Sequence, residues 1–163
     1  MTITEALERQ ADTLGIRLEV VNGLPVWEPA PVIRHQRVTD RIRRSIRPTT
    51  GGDGCGCIHY ADITILFPDG SMKRPDISIF CQEPTEDDTA CRTIPDAVIE
   101  VLSKGYEKKD TEVSLPFYLE QGIADIIVID PATGRVTHHR RGEIREYQSP
   151  AELTLQCGCL LTE

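Results

Sequence analysis

Apolar positions recur along the chain with two different spacings, and each change of spacing marks the end of an element. In residues 2–14, Ala6, Leu7 and Leu14 fall at helical intervals, with Thr2 or Thr4 as N-cap and Gly15 as the stop. IRLEVV and LPVWEP flank Asn22-Gly23, a pair that tolerates positive φ, and so predict a hairpin. Pro29 and Pro31 lead into an arginine-rich helix with an expected inner stripe of Val32, Ile33, Val38, Ile42 and Ile46. Pro48 and TTGGDG close it. Strands follow over residues 55–60, 62–67 and 76–81, the last two joined by a turn at Pro68-Asp69-Gly70. Beyond the acidic loop QEPTEDD, the runs DAVIEVLS and IADIIVID are almost continuously apolar, as strands buried on both faces are. Residues 108–121 between them read as a helix that Pro116 kinks or makes start later. GRVTHHR and GEIREYQ form a more exposed antiparallel pair, and the remaining tail reads as short and irregular.

This order predicts an α/β fold, a mixed β-sheet flanked by helices. The 163 residues make one domain, with residues 1–31 a helix-plus-hairpin extension. The segment 97–130 has the length of a βαβ crossover. No apolar run approaches the ~20 residues of a bilayer span, so no membrane partner is expected. MTITEALERQ lacks the basic and apolar regions of a signal peptide, which predicts a cytoplasmic protein with its six cysteines kept as thiols.

A net charge of −8 argues against a phosphate-binding protein until its distribution is considered. RHQRVTDRIRRSIR holds six arginines against Asp40, a local +5, so the rest of the chain carries −13. A basic helix in an acidic protein can dock a nucleic-acid backbone, or can be a solvated face paired with its own fold.

Alternation sets Ile77 and Ile79 on one face of RPDISIF and Asp76, Ser78 and Phe80 on the other. In VIEVLS, Val98, Glu100 and Leu102 share a face. A carboxylate inside such a run must be paired, protonated or bound to a metal. Asp76 and Glu100 on adjacent strands would offer hard oxygen ligands to Mg²⁺ or Mn²⁺. Alternatively, Asp76 belongs to a Pro-Asp turn and Glu100 pairs with an arginine of the long helix.

RPDISIF, PDAVIEVLS, a helix ending in FYLEQGI, and DIIVIDP, in that order, resemble the Uma-two family of putative restriction endonucleases, a family of the PD-(D/E)XK nuclease-like superfamily. The resemblance runs from His35 to Asp130 and implies a restriction-endonuclease-like sheet. It implies metal-dependent hydrolysis of phosphodiester bonds in DNA, with Asp76 as the PD aspartate and Glu100 as the second acidic residue. Two-fold symmetry would suit a duplex, so a homodimer is expected. Where the superfamily has lysine this chain has Leu102, and Ser114 stands where family members carry a helical lysine. Lys109 is the expected replacement, with Lys104 and Lys108 as further candidates. Arg34, His35, Arg37, Arg41 and Arg44 are the expected nucleic-acid contacts, and Asp62 a further acidic group near the first strands. If no lysine reaches the site, a non-catalytic nucleic-acid binder or an acidic interaction module remains.

Cys55-Gly-Cys57 and Cys157-Gly-Cys159 could make a four-thiolate zinc site, disulfides or free thiols. Metal binding requires the two segments to lie together. Cys81 and Cys91 read as core or loop thiols.

Overall fold

Two apolar runs, each broken by acidic residues only, lie side by side at the centre of the molecule. In the computed structural model, which describes residues 3–29, 31–51, 54–85 and 90–163, these are β8 (Ala97–Val101) and β9 (Asp125–Asp130), paired in parallel. A π-helical turn (Lys109–Ser114) and α3 (Leu115–Glu120) connect them. Pro116 sits in the first turn of α3, directly after the π-helical turn.

The other elements are α1 (Ile3–Thr13), the hairpin β1 (Ile16–Val21) and β2 (Leu24–Pro29), α2 (Ile33–Ser45) and β3 (Arg47–Pro48). They continue with β4 (Ile58–Ala61), β5 (Ile65–Leu66), β6 (Met72–Lys73) and β7 (Ile77–Phe80). After β9 come β10 (Arg135–Arg140), β11 (Glu143–Gln148), β12 (Glu152–Thr154) and β13 (Cys159–Thr162). A six-stranded mixed sheet runs β11-β10-β9-β8-β7-β4, a second runs β2-β1-β6-β5, and a third β12-β13-β3. Thr2, and with it one of the two expected caps of α1, lies outside the described residues, as does part of the acidic loop.

Alternation holds in the central strands. Ile77, Ile79, Ile99, Val101, Ile127 and Ile129 pack on one face with Val38 and Ile42 of α2 and with the β12–β13 hairpin. Val98 and Ile126 turn to the other face, against Phe117 and Tyr118. Leu18, Val20 and Met72 form a smaller core with Ala11 of α1. At the β1–β2 turn, Asn22 and Gly23 both take positive φ, as the hairpin reading requires.

Four expectations fail. Val32 and Ile33 are 67% and 78% exposed; the inner face of α2 is His35, Val38, Thr39 and Ile42, a helical stripe that accepts a histidine because a buried carboxylate awaits it. The Pro68-Asp69-Gly70 turn joins β5 to β6, and β7 passes to the large sheet. The tail is no irregular segment: Leu153 and Leu161 face each other across β12 and β13 and are buried. Finally, four cysteines are not thiols, because the two CxC segments meet at the end of β7 and form the disulfides Cys55–Cys81 and Cys57–Cys159.

Candidate active site

The site begins with register. Ile77 pairs with Ile99 in the antiparallel β7–β8 ladder, so one residue further Asp76 stands opposite Glu100. The Asp76 N–H points to Glu100 Oε2 at 3.4 Å, and the Val101 N–H donates to Asp76 Oδ2 at 2.7 Å. Like charges opposed across strands repel, and both side chains are buried. Something must offset that repulsion.

For Asp76 the offset is present. His35 Nε2 lies 3.1 Å from Oδ2 and Arg17 Nη1 3.7 Å from Oδ1. Burial alone would raise the Asp76 carboxyl, but the His35 hydrogen bond and charge, the Val101 N–H and Arg17 outweigh it and hold the group below its ordinary value. Burial likewise opposes charging His35, and the bond to Asp76 raises its pKa in spite of it.

Glu100 makes no ion pair among the described residues. Tyr118 donates its hydroxyl to Oε1 at 2.6 Å. Burial, then the nearby charges of Asp110 and Asp76, push the carboxyl well above the usual range; Lys109 and Lys73 pull it down less strongly. Tyr118 is raised well above its ordinary value by burial and then by Glu100.

Behind Glu100 lies a pair that the sequence reading does not name. Val20 pairs with Met72, which sets Glu19 opposite Lys73, and Lys73 Nζ meets Glu19 Oε2 at 2.5 Å with both side chains fully buried. The same ammonium donates to Ser114 Oγ at 2.6 Å and lies 5.3 Å from the centre of the Tyr118 ring. Burial works against the Glu19 charge, but Lys73 and then Lys109 bring its pKa down to about 2. Lys109 Nζ stands 3.5 Å from Glu19 and 2.9 Å from Asp110. The π-helical turn aims Asp110 and Ser114 inward together.

A cleft of about 670 Å³ opens over this cluster, and Arg34, His35, Asp76, Leu102, Lys104 and Lys109 are among the residues that line it. The expected residues Asp76, Glu100, Lys109 and His35 thus come together; Lys108 is exposed and does not line the cleft. His35 is only 7% exposed, turned inward on Asp76 instead of outward on the helix surface. Asp62 takes a positive φ and binds Arg17 at 2.5 Å, which keeps it beside the cluster and on an arginine. Arg34, Arg37, Arg41 and Arg44 are exposed along α2; Arg34 donates to the Pro131 carbonyl and Arg41 binds Glu163. Glu19, Lys73 and Asp110 were missed. Glu19 had a signal: it interrupts IRLEVV as Glu100 interrupts AVIEV.

The donor set suits a hard divalent cation. Asp76 and Glu100 offer oxygens from opposed backbone positions, and Asp110 adds negative charge nearby that a cation would offset.

The model of the Uma2 family, described as "Putative restriction endonuclease", matches residues 4–159. Among solved structures, a putative nuclease belonging to DUF820 from Anabaena variabilis ATCC 29413 is similar, with a TM-score of 0.62 and 20% identity over 85% of this chain and 80% of that one. At that identity the likeness is one of fold. No curated protein matches the sequence. With nearly its whole length matched, and with the paired carboxylates on neighbouring strands, the chain belongs to the Uma2 family of putative restriction endonucleases.

Proposed function

We propose that the protein is a divalent-metal-dependent endonuclease that hydrolyses phosphodiester bonds of DNA. The observation that carries this reading is the facing of Asp76 and Glu100 across β7 and β8, with Asp76 and Lys109 both lining the cleft above them. Asp76 and Glu100 would hold Mg²⁺ or Mn²⁺, which when bound polarises the phosphate and acidifies a coordinated water. His35 and Arg17 fix the Asp76 carboxylate, and Tyr118 fixes that of Glu100. Lys109, at the cleft wall, orients the attacking water and meets the charge that builds on the phosphate. Lys73 lies deeper, where it neutralises Glu19 and fills the space beside Ser114.

Arg34 stands at the cleft, and Arg37, Arg41 and Arg44 continue along α2 for about 15 Å at 1.5 Å per residue. Together they form a phosphate-contacting ridge. A homodimer would bring two such clefts to the two strands of a duplex.

The test is cleavage of supercoiled and linear duplex DNA with Mg²⁺ or Mn²⁺, comparing the unaltered chain with Glu100→Gln and Asp76→Asn. Cleavage that disappears in both variants while their circular dichroism is unchanged supports the proposal; equal cleavage by Glu100→Gln rejects it. Leu102 in the place of the motif lysine favours a second reading, a nucleic-acid binder that does not cut. That reading predicts salt-sensitive binding and no cleavage with either metal.

A further inference from the structure

β7 has a second cluster at its other end. Cys55 and Cys57 precede β4, Cys81 directly follows β7, and Cys157 and Cys159 lie at the β12–β13 hairpin. The sulfurs of Cys55, Cys57 and Cys159 are all within 4.8 Å of one another, and so are those of Cys55, Cys81 and Cys157. Cys55 belongs to both groups. Its sulfur is 3.6 Å from that of Cys159, to which it is not bonded. Four Zn–S bonds of about 2.3 Å define a tetrahedron with edges of ~3.8 Å, close to that separation.

The backbone is shaped around these sulfurs. The Gly56 N–H donates to the Cys81 carbonyl at 2.8 Å, and a Cβ at Gly56 would come within 3.1 Å of that oxygen. Gly158 has φ +93°, and Cys57 holds a positive φ of 48° that a non-glycine residue adopts only under constraint. Thr49 donates to the Gly158 carbonyl through both its N–H and its hydroxyl. Two disulfides account for four of the five sulfurs and leave Cys157 a half-buried thiol against the same group. Two isolated bridges require neither a fifth cysteine nor contact between the pairs.

We infer that in its reduced form the chain holds one Zn²⁺ at Cys55, Cys57 and Cys159, with Cys81 or Cys157 as the fourth thiolate. A soft, borderline metal is the match for sulfur, as hard oxygen donors at the opposite end of β7 match Mg²⁺ or Mn²⁺. Two equivalents of a dithiol reduce the two disulfides, passing four electrons and four protons to give four thiols, and are themselves oxidised to disulfides. One Zn²⁺ then displaces four protons from four thiols. The ion would join the segment before β4, the end of β7 and the terminal hairpin, which are three separate stretches of chain.

The test uses the full chain, reduced with a dithiol, freed of reagent without oxygen, and titrated with Co²⁺ and then Zn²⁺. The expected result is the visible and near-ultraviolet absorption of tetrahedral cobalt thiolate, saturating at one ion per chain and bleached by Zn²⁺. Bound zinc should be retained in Cys91→Ser, lost in the double variant Cys55→Ser/Cys159→Ser, and lost in at least one of Cys81→Ser and Cys157→Ser. Absence of the cobalt–sulfur absorption in the unaltered reduced chain overturns the inference whether or not the variants fold. So does full zinc content in the double variant, or in both single ones.

Discussion

Glu100 and Asp125 are buried carboxylates on neighbouring parallel strands of one sheet, and their surroundings push them in opposite directions. Asp125 receives His138 Nε2 at 2.6 Å, Arg140 Nε at 2.8 Å and the Gln156 N–H at 2.8 Å. Burial would raise its pKa, yet the bonds from His138, Arg140 and Gln156 lower it. Glu100 makes no ion pair among the described residues, and its pKa is raised by burial and then by the charges of Asp110 and Asp76. A carboxylate that holds a fold together is given enough donors to stay charged. One left with surplus negative charge around it is suited to receive a cation from outside.

The sharpest way to break this comparison is to neutralise each acid. Glu100→Gln should abolish metal-dependent cleavage and leave the melting temperature equal or higher, because it removes repulsion. Asp125→Asn should destabilise by about 3 kcal/mol by stranding Arg140 and His138, a fall in melting temperature of roughly 10 °C by calorimetry, with cleavage kept below the transition. If both variants lose stability alike, the distinction between the two acids is wrong. Next in size, Lys109→Met should lower the cleavage rate by about 10²- to 10⁴-fold with unaltered DNA binding, read from single-turnover kinetics.

The pH dependence of stability should carry opposite signs from the two acids. Glu100 has a folded pKa above its unfolded 4.5, so the stability tied to its proton is complete below 4.5 and is lost as pH rises through the folded value. Asp125 and Asp76 have folded pKa values below 3.8, and Glu19 falls from 4.5 to about 2; their contribution is present above the unfolded values and is lost as pH falls through the folded ones. Thermal melts should therefore gain stability on mild acidification and then lose it, and Glu100→Gln should shrink the gain to the part that His35, whose pKa is also raised, supplies. The smallest effect is expected where neither acid is involved. Arg37→Ala with Arg44→Ala should reduce the dependence of DNA affinity on log salt concentration by about two contacts without changing the melt.

Most of the sheet could be read from the chain because alternation is strict where one face meets α2 and the other meets α3. Alternation assigns Asp76 and Glu100 each to a face of its strand, while their pairing rests on the resemblance of RPDISIF and PDAVIEVLS to the family's motifs. The remaining partners follow other rules. Lys73 sits in a two-residue strand, too short for any period, and gains its role from Glu19 across a sheet that the hairpin forms with β6. Asp110 and Ser114 stand four residues apart and so share a face, but both are polar, and an apolar stripe does not mark that face as the inner one. His35 looked like a surface residue among arginines until its buried partner was known. The β12–β13 hairpin was missed because its strands are short and separated by the Cys157-Gly-Cys159 turn.

The pairing of Glu19 with Lys73 spans 54 positions, that of Asp76 with the Val101 N–H 25, and that of Tyr118 with Glu100 18. Each closes a loop whose entropic cost grows only slowly with length, about 0.6 kcal/mol per doubling, but all three must be closed at once. A peptide that held all three pairings would have to run from Glu19 to Tyr118. The arginines of α2 lie within one segment of 13 residues, whereas the carboxylate array is drawn from segments far apart in the chain. Under the proposed function, contact with phosphates would draw on one stretch of sequence and cleavage on several.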